Sequence, residues 1–186
     1  MATAYVSFCR PLSSDTATLA LFALRGISLE VQGGNAQWDT VHLNIACEGG
    51  NLIPGLTLYN ELRSLPFKKI ITHNTAAMDS PAILFFMAGS QRFACNKSVF
   101  RFSQPGWTFA SKLSSRTEIA NAQRWLDTYQ TAMCEIVSSD TKLSCDEVRN
   151  MIDSDATMTP TEALKHGLIH DVCEPTFPFG ARWHQI

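Results

Sequence analysis

Two apolar runs, each ending in a turn that chemistry can use, limit what this chain can fold into. Val41-His42-Leu43-Asn44-Ile45-Ala46 is apolar, partly β-branched, and stops at Cys47-Glu48-Gly49-Gly50. Phe67 to Thr72 is the second run. It leads through His73-Asn74-Thr75-Ala76-Ala77-Met78-Asp79 to Ser80-Pro81 and the apolar stretch Ala82–Ala88. Between the runs, Leu52, Leu56, Tyr59 and Leu62 recur at helical spacing, with Pro54 tolerated in the first turn. Strand, helix and strand form a βαβ unit, so the two strands are expected to be parallel with a right-handed crossover. Ligands of such sheets gather beyond the carboxyl ends of the strands, which brings Gly49-Gly50 and His73–Ser80 together. A glycine turn can aim backbone N–H groups at a developing oxyanion, and a serine opening a helix can hold a nucleophilic hydroxyl beside it. Ser80 followed by Pro81 also reads as a plain helix N-cap with proline at the first helical position.

The rest of the chain supplies the expected partners of this unit. Tyr5 to Cys9 reads as a first strand. Thr16 to Leu24 reads as a helix buried on most sides and stopped by Gly26, with a brief strand or extended loop at Ile27–Val31 and a turn at Gly33-Gly34-Asn35. Pro81–Ala88 is a buried helix, followed by short strands at Arg92–Cys95 and Val99–Phe102. Leu113–Val137 is the longest helical stretch, with Ile119, Ala122, Trp125, Leu126, Tyr129, Met133 and Ile136 on one stripe. Ser144-x-x-Glu147 and Thr159-x-x-Glu162 are capping boxes, Gly167 ends the second of those helices, and Leu168–Val172 is a last strand. Glu174–Ile186 carries three aromatics and two prolines and reads as an irregular surface tail.

Composition removes several functions. Lys plus Arg number 15 against 17 Asp plus Glu, so no basic stripe for nucleic acid is implied. No apolar run is long enough to span a bilayer, and no basic-then-apolar leader is visible at Met1–Tyr5. Cys9, Cys47, Cys95, Cys134, Cys145 and Cys173 are dispersed, without close ligand pairs, so reduced thiols in a single-domain cytoplasmic protein are expected, with no metal and no cofactor.

In order along the chain, these residues resemble the proteolytic subunit of the Clp proteases, within the ClpP/crotonase fold. Glu48-Gly49-Gly50 with Pro54-Gly55 is similar to that family's glycine motif, Ala77-Met78-Asp79-Ser80 with Met87-Ala88-Gly89 to its nucleophile motif, and Arg92-Phe93 through Asn96, Ser98 and Gln104-Pro105 to its histidine-bearing strand pair. Asp155 with Met158-Thr159, Glu162-Ala163 and Gly167-Leu168-Ile169 is similar to the segment carrying its aspartate. The resemblance implies an α/β fold of repeated β-β-α units over residues 1–186, with a projecting handle helix at about 113–137 that joins rings face to face. It implies Ser80 as nucleophile, Asp155 as orienter, and an oxyanion hole at Gly49, Gly50 and residue 81. Ser103 stands where the resemblance expects the catalytic histidine, and Pro81 has no N–H to give.

The expectation is therefore a peptidase-family chain, weakly active or inactive, serving as a structural or regulatory ring subunit. It would assemble with itself in rings or stacked rings, or with active paralogues, and an ATPase partner of the AAA+ unfoldase type is not expected because the N-terminal segment that engages one is largely missing. Two alternatives stay open. One is a working serine peptidase acting on polypeptides, in which His73 substitutes as base. The other is a crotonase-type acyl-CoA enzyme holding a thioester oxyanion with two N–H groups. Lys97 is a further, remote candidate for a Ser/Lys dyad, and Asp79 reads as a helix cap.

Overall fold

A computed structural model describes residues 2–32, 38–109, 113–178, 181 and 183–186. At its centre, β1 (Ala2–Phe8), β2 (Trp38–Cys47) and β3 (Lys69–Asp79) lie parallel, with Val6 opposite Leu43 and Leu43 opposite Thr72. The alternation of an extended chain puts Ala4, Val6, Phe8, Leu43 and Ile45 on one face, where all are fully buried. The crossovers are α1 (Ser14–Gln32) and α2 (Leu52–Ser64), as parallel pairing requires. α3 (Ser80–Met87) is buried along its whole length, with Phe85 edge-on to Phe8 at 5.5 Å between ring centroids. The reading of 27–31 as strand and of Gly26 as a stop is corrected here, because α1 continues to Gln32. Ala17, Ala20, Leu24 and Ile27 form its buried stripe, and that burial outweighs the cost of about 1 kcal/mol for a glycine inside a helix. Its opposite side is open, with Phe22 80% exposed, so burial on most sides is corrected as well. The turn expected at Gly33-Gly34-Asn35 lies outside the described residues.

β3 is longer than its apolar run. It was expected to end at Thr72, yet the strand continues to Asp79 through a bulge: Ile45 pairs with Asn74, and Cys47 next pairs with Met78. Asn74 braces this bulge, accepting from Ala76 N at 3.2 Å and donating to the Val99 carbonyl at 3.1 Å. The bend lets β3 serve two neighbours, β4 (Gln91–Ala94) through residues 71–74 and β5 (Val99–Arg101) through residues 77–79. β6 (Thr157–Met158) adds antiparallel to β5, and β7 (Asp171–Val172) parallel to β4. The sheet order is β6-β5-β3-β2-β1-β8, with β4 and β7 off that path. β8 (Trp183–Gln185) corrects the expected irregular tail: it pairs parallel with β1, and Ile186 N donates to Ser7 O at 2.9 Å.

Three further helices complete the chain, each opened by a capping box: α4 (Arg116–Ser139) at Ser115/Glu118, α5 (Cys145–Asp153) at Ser144/Glu147 and α6 (Pro160–His166) at Thr159/Glu162. α4 therefore starts a little later than Leu113. Its residues 116–125 are exposed apart from Ala122, while Tyr129, Met133, Cys134 and Val137 are buried in its second half.

Arg92 holds the helix ends. Its buried guanidinium donates to the carbonyls of Gly89 after α3, Asp140 after α4, and Gly167 and Leu168 after α6. Helix C-termini expose unpaired carbonyls and carry partial negative charge, so one cation serves three of them. Replacing Arg92 with Met is expected to leave these carbonyls unpaired and to lower unfolding stability by about 3–5 kcal/mol, read from the denaturation midpoint at constant slope.

Candidate active site

The β3–α3 junction sets the site. Asp79 is the N-cap of α3, its Oδ1 accepting from Ser80 N at 2.7 Å. Ser80 is thus the first helical residue rather than the cap, and its side chain is carried to the end of the bent strand. The segment after β5 lies across it. Ser80 Oγ donates to the Ser103 carbonyl at 3.0 Å, and Ser103 Oγ donates to Asp79 Oδ1 at 2.5 Å. Asp155 joins from the far side, its Oδ1 accepting from Gln104 N at 3.2 Å, in a left-handed backbone conformation with φ 52°. Arg101 lies between the two acids, 3.9 Å from Asp79 and 3.7 Å from Asp155.

The glycine turn closes the other wall. Gly49 and Gly50 both have positive φ, and a Cβ at Gly50 would sit 2.2 Å from the Leu12 carbonyl oxygen, so no larger residue fits. Leu12 N donates to Gly49 O and Asn51 N donates to Leu12 O, each at 2.8 Å. The Gly49 carbonyl faces Leu12, so the N–H of the same trans peptide, that of Gly50, points away from Leu12, and Gly50 lines the cleft. The cleft has a volume of about 450 Å³ and takes in Gly50, Ser80, Pro81, Ser103, Trp107, Trp125 and Tyr129.

Chemically, this arrangement presents a placed hydroxyl whose proton points at a carbonyl oxygen. An amide carbonyl is too weak a base to take that proton. Among the described residues, no histidine or lysine lines the cleft. Gly50 offers one backbone donor; Pro81, next to the hydroxyl, offers none.

His73 is not part of this constellation. It sits within β3, buried, its Nε2 2.9 Å from the Cys173 carbonyl and 3.7 Å from Cys95 Sγ. A carbonyl only accepts, so the proton is on Nε2. The ring stacks on His42 with centroids 5.7 Å apart and planes 12° apart. Lys97, in the turn between β4 and β5, does not line the cleft either. Asn74 and Tyr129 are the site-shaping residues the sequence did not mark. Tyr129 is buried at the cleft with its hydroxyl unpartnered among the described residues, and burial, then the Asp79 charge, raises its pKa. Nothing local distinguishes it from the other apolar positions of the α4 stripe. No metal-binding cluster of His, Cys, Asp and Glu occurs among the described residues, and no described helix is long and apolar enough to cross a membrane.

The model for the family described as Clp protease matches residues 13–176, a span that contains Gly49, Gly50, Ser80, Pro81, Ser103 and Asp155.

The histidine stack makes its own prediction. Burial, then the neighbouring His73, lowers the pKa of His42 to about 4. Burial also lowers that of His73. In the unfolded chain an imidazole titrates near 6.5, so the native state resists the proton. The contribution of His42 to stability is complete above about pH 6.5, falls as pH drops toward about 4, and amounts to at most ~3 kcal/mol. In urea titrations across that window, His42→Phe is expected to lose stability less steeply than the native chain.

Proposed function

The chain is a member of the Clp protease family, and from that premise we propose that it is a subunit with a disabled catalytic centre, structural or regulatory rather than hydrolytic. The observation that carries this reading is the Ser80 hydroxyl donating to the Ser103 carbonyl, at the point where the family's mechanism needs an imidazole. Ser103 supplies a hydroxyl instead, and that hydroxyl gives its proton to Asp79. Asp155 keeps the orienter's place but holds the Gln104 N–H. Loss of a triad member costs on the order of 10⁴–10⁶ in rate, and loss of one oxyanion donor about 10²–10³. The two losses do not simply multiply, but either leaves a poor peptidase.

The rival readings have less in their favour. As a base for Ser80, His73 would have to leave both the Cys173 carbonyl and the His42 stack. A crotonase-type reaction needs two N–H groups on the thioester oxygen, and Pro81 removes one. For assembly, the exposed first half of α4, with Ile119 outward, fits a helix that packs between subunits, and closed rings are the natural product of head-to-tail contacts.

Two experiments test the proposal. Fluorophosphonate labelling of Ser80 is expected to be slow and incomplete; rapid stoichiometric labelling would overturn the disabled-site reading. Ser103→His with Pro81→Met is expected to hydrolyse a short fluorogenic peptide faster than either single variant. For assembly, light scattering at micromolar concentration is expected to show a large particle that Ile119→Glu makes smaller. A monomeric native chain would refute the ring.

A further inference from the structure

The cleft over Ser80 has a charge and a shape of its own. Asp79 is the one charged side chain lining it, and no Lys, Arg or His does so among the described residues. The nearby counter-charge is incomplete, since Arg101 is shared between Asp79 and Asp155, one guanidinium for two carboxylates, at 3.9 and 3.7 Å. Trp107 and Trp125, each about half exposed, line the same cleft as Ser80 and Pro81. Tyr129 also lines the cleft, is 5% exposed, and has a buried hydroxyl with no hydrogen-bond partner among the described residues. A buried hydroxyl left unpaired is unfavourable, and such groups occur where a ligand or water completes them. With its pKa raised, the phenol stays protonated and neutral across physiological pH.

Net negative charge, indole faces and an unpaired phenol together describe a receptor for a cation on an apolar stem. Indole faces attract guanidinium and ammonium groups, and the stem of such a side chain packs on apolar walls such as Leu52, Pro54 and Leu126. The Tyr129 oxygen can accept from the charged end while Asp79 supplies the attraction. An acidic side chain would meet Asp79, whose neighbouring cation Arg101 is already shared with Asp155, and a purely aliphatic one would leave the phenol unpaired. We propose that the cleft selects a peptide segment that presents an arginine or lysine side chain beside Ser80. The selection is a matter of binding and needs no hydrolysis. It rests on reading this cleft as a peptide-binding one, and it stands apart from whether Ser80 reacts.

Isothermal titration calorimetry on the native chain tests it, with the peptides acetyl-Ala-Ala-Xaa-Ala-Ala-amide and Xaa as Arg, citrulline, Leu or Glu. The Arg peptide is expected to bind about tenfold tighter than its neutral isostere citrulline and than Leu, with Glu weakest. Raising salt from about 0.05 to about 0.5 M is expected to remove most of the advantage of Arg over citrulline. Asp79→Asn keeps an N-cap acceptor for Ser80 N and is expected to bring the Arg-to-citrulline ratio close to one. Tyr129→Phe is expected to weaken Arg and citrulline by a few-fold and leave Leu unchanged or improved. Leu binding as tightly as Arg, or a ratio indifferent to both salt and Asp79→Asn, would overturn the inference while leaving the disabled-site reading intact. Absence of binding by all four peptides would overturn both the inference and the peptide-binding reading of the cleft. Rapid labelling of Ser80 together with Arg preference would overturn the disabled site alone. If Asp79→Asn does not fold, the salt series on the native chain decides.

Discussion

The carboxylate of Asp79 ties together segments from distant parts of the chain. Its Oδ1 caps α3 through Ser80 N and takes the Ser103 hydroxyl from the segment after β5. Its Cβ lies so near Gly49 that a side chain there would come within 3.0 Å. The cleft walls are thus fixed by one group, and that group sits where a strand becomes a helix. Two features bring it there. The bulge in β3, braced by Asn74, bends the strand far enough to deliver Asp79 to β5. Gly55 lets α2 approach α3 so closely that a Cβ would sit 2.3 Å from the Pro81 carbonyl oxygen. A larger residue at 55 would push α3, and with it Ser80, away from the glycine turn.

The opposite end of α3 is held by another kind of interaction. Arg92 places its charge where the carbonyl ends of α3, α4 and α6 meet, and every bond it makes there is to a backbone oxygen. Burial penalises this cation and lowers its pKa, yet a guanidinium remains charged in proteins, and four carbonyl acceptors offset much of the cost of desolvation. α3 therefore runs from a carboxylate at its positive end to a guanidinium at its negative end, each suited to the helix dipole. A helix so short and so apolar has little stability of its own, and this pair of charges, with complete burial, accounts for its fixed place.

What the sequence revealed was mostly what local chemistry decides. The βαβ unit was legible from two apolar runs around a helical period, and the boxes at Ser144 and Thr159 from residues three apart. The same signature at Ser115-x-x-Glu118 sits at the true start of α4, displaced from Leu113 where the apolar stripe had put it. Distant pairing was not legible. Thr75-Ala76-Ala77 carries no strong strand signal and continues β3 only because β2, β4 and β5 pair on either side of it. Trp183–Gln185 is too short to read as a strand, and it forms because the edge of β1 needs partners. Around the cleft, the motifs located Gly49, Gly50, Ser80, Pro81, Ser103 and Asp155, since glycine and proline have backbone consequences that their spacing exposes. The inward turn of Tyr129 and the engagement of His73 on the far side of β3 depend on packing, which one-dimensional periodicity does not encode.

On the disabled-site proposal, the residues at Ser103 and Pro81 are consistent with each other as physical changes. A catalytic serine needs a base at one side and a donor at the other, and both are groups whose placement costs stability: an imidazole held ready to charge, and an N–H kept unpaired until an oxyanion forms. In this chain, proline fixes the first turn of α3 with no N–H left to satisfy, and serine closes onto Asp79 with its own proton engaged. On that proposal each change exchanges a poised group for a satisfied one. What remains is the shape of the cleft, the Gly50 donor, the Tyr129 hydroxyl and the charge of Asp79. On the disabled-site proposal these serve recognition, which needs no turnover.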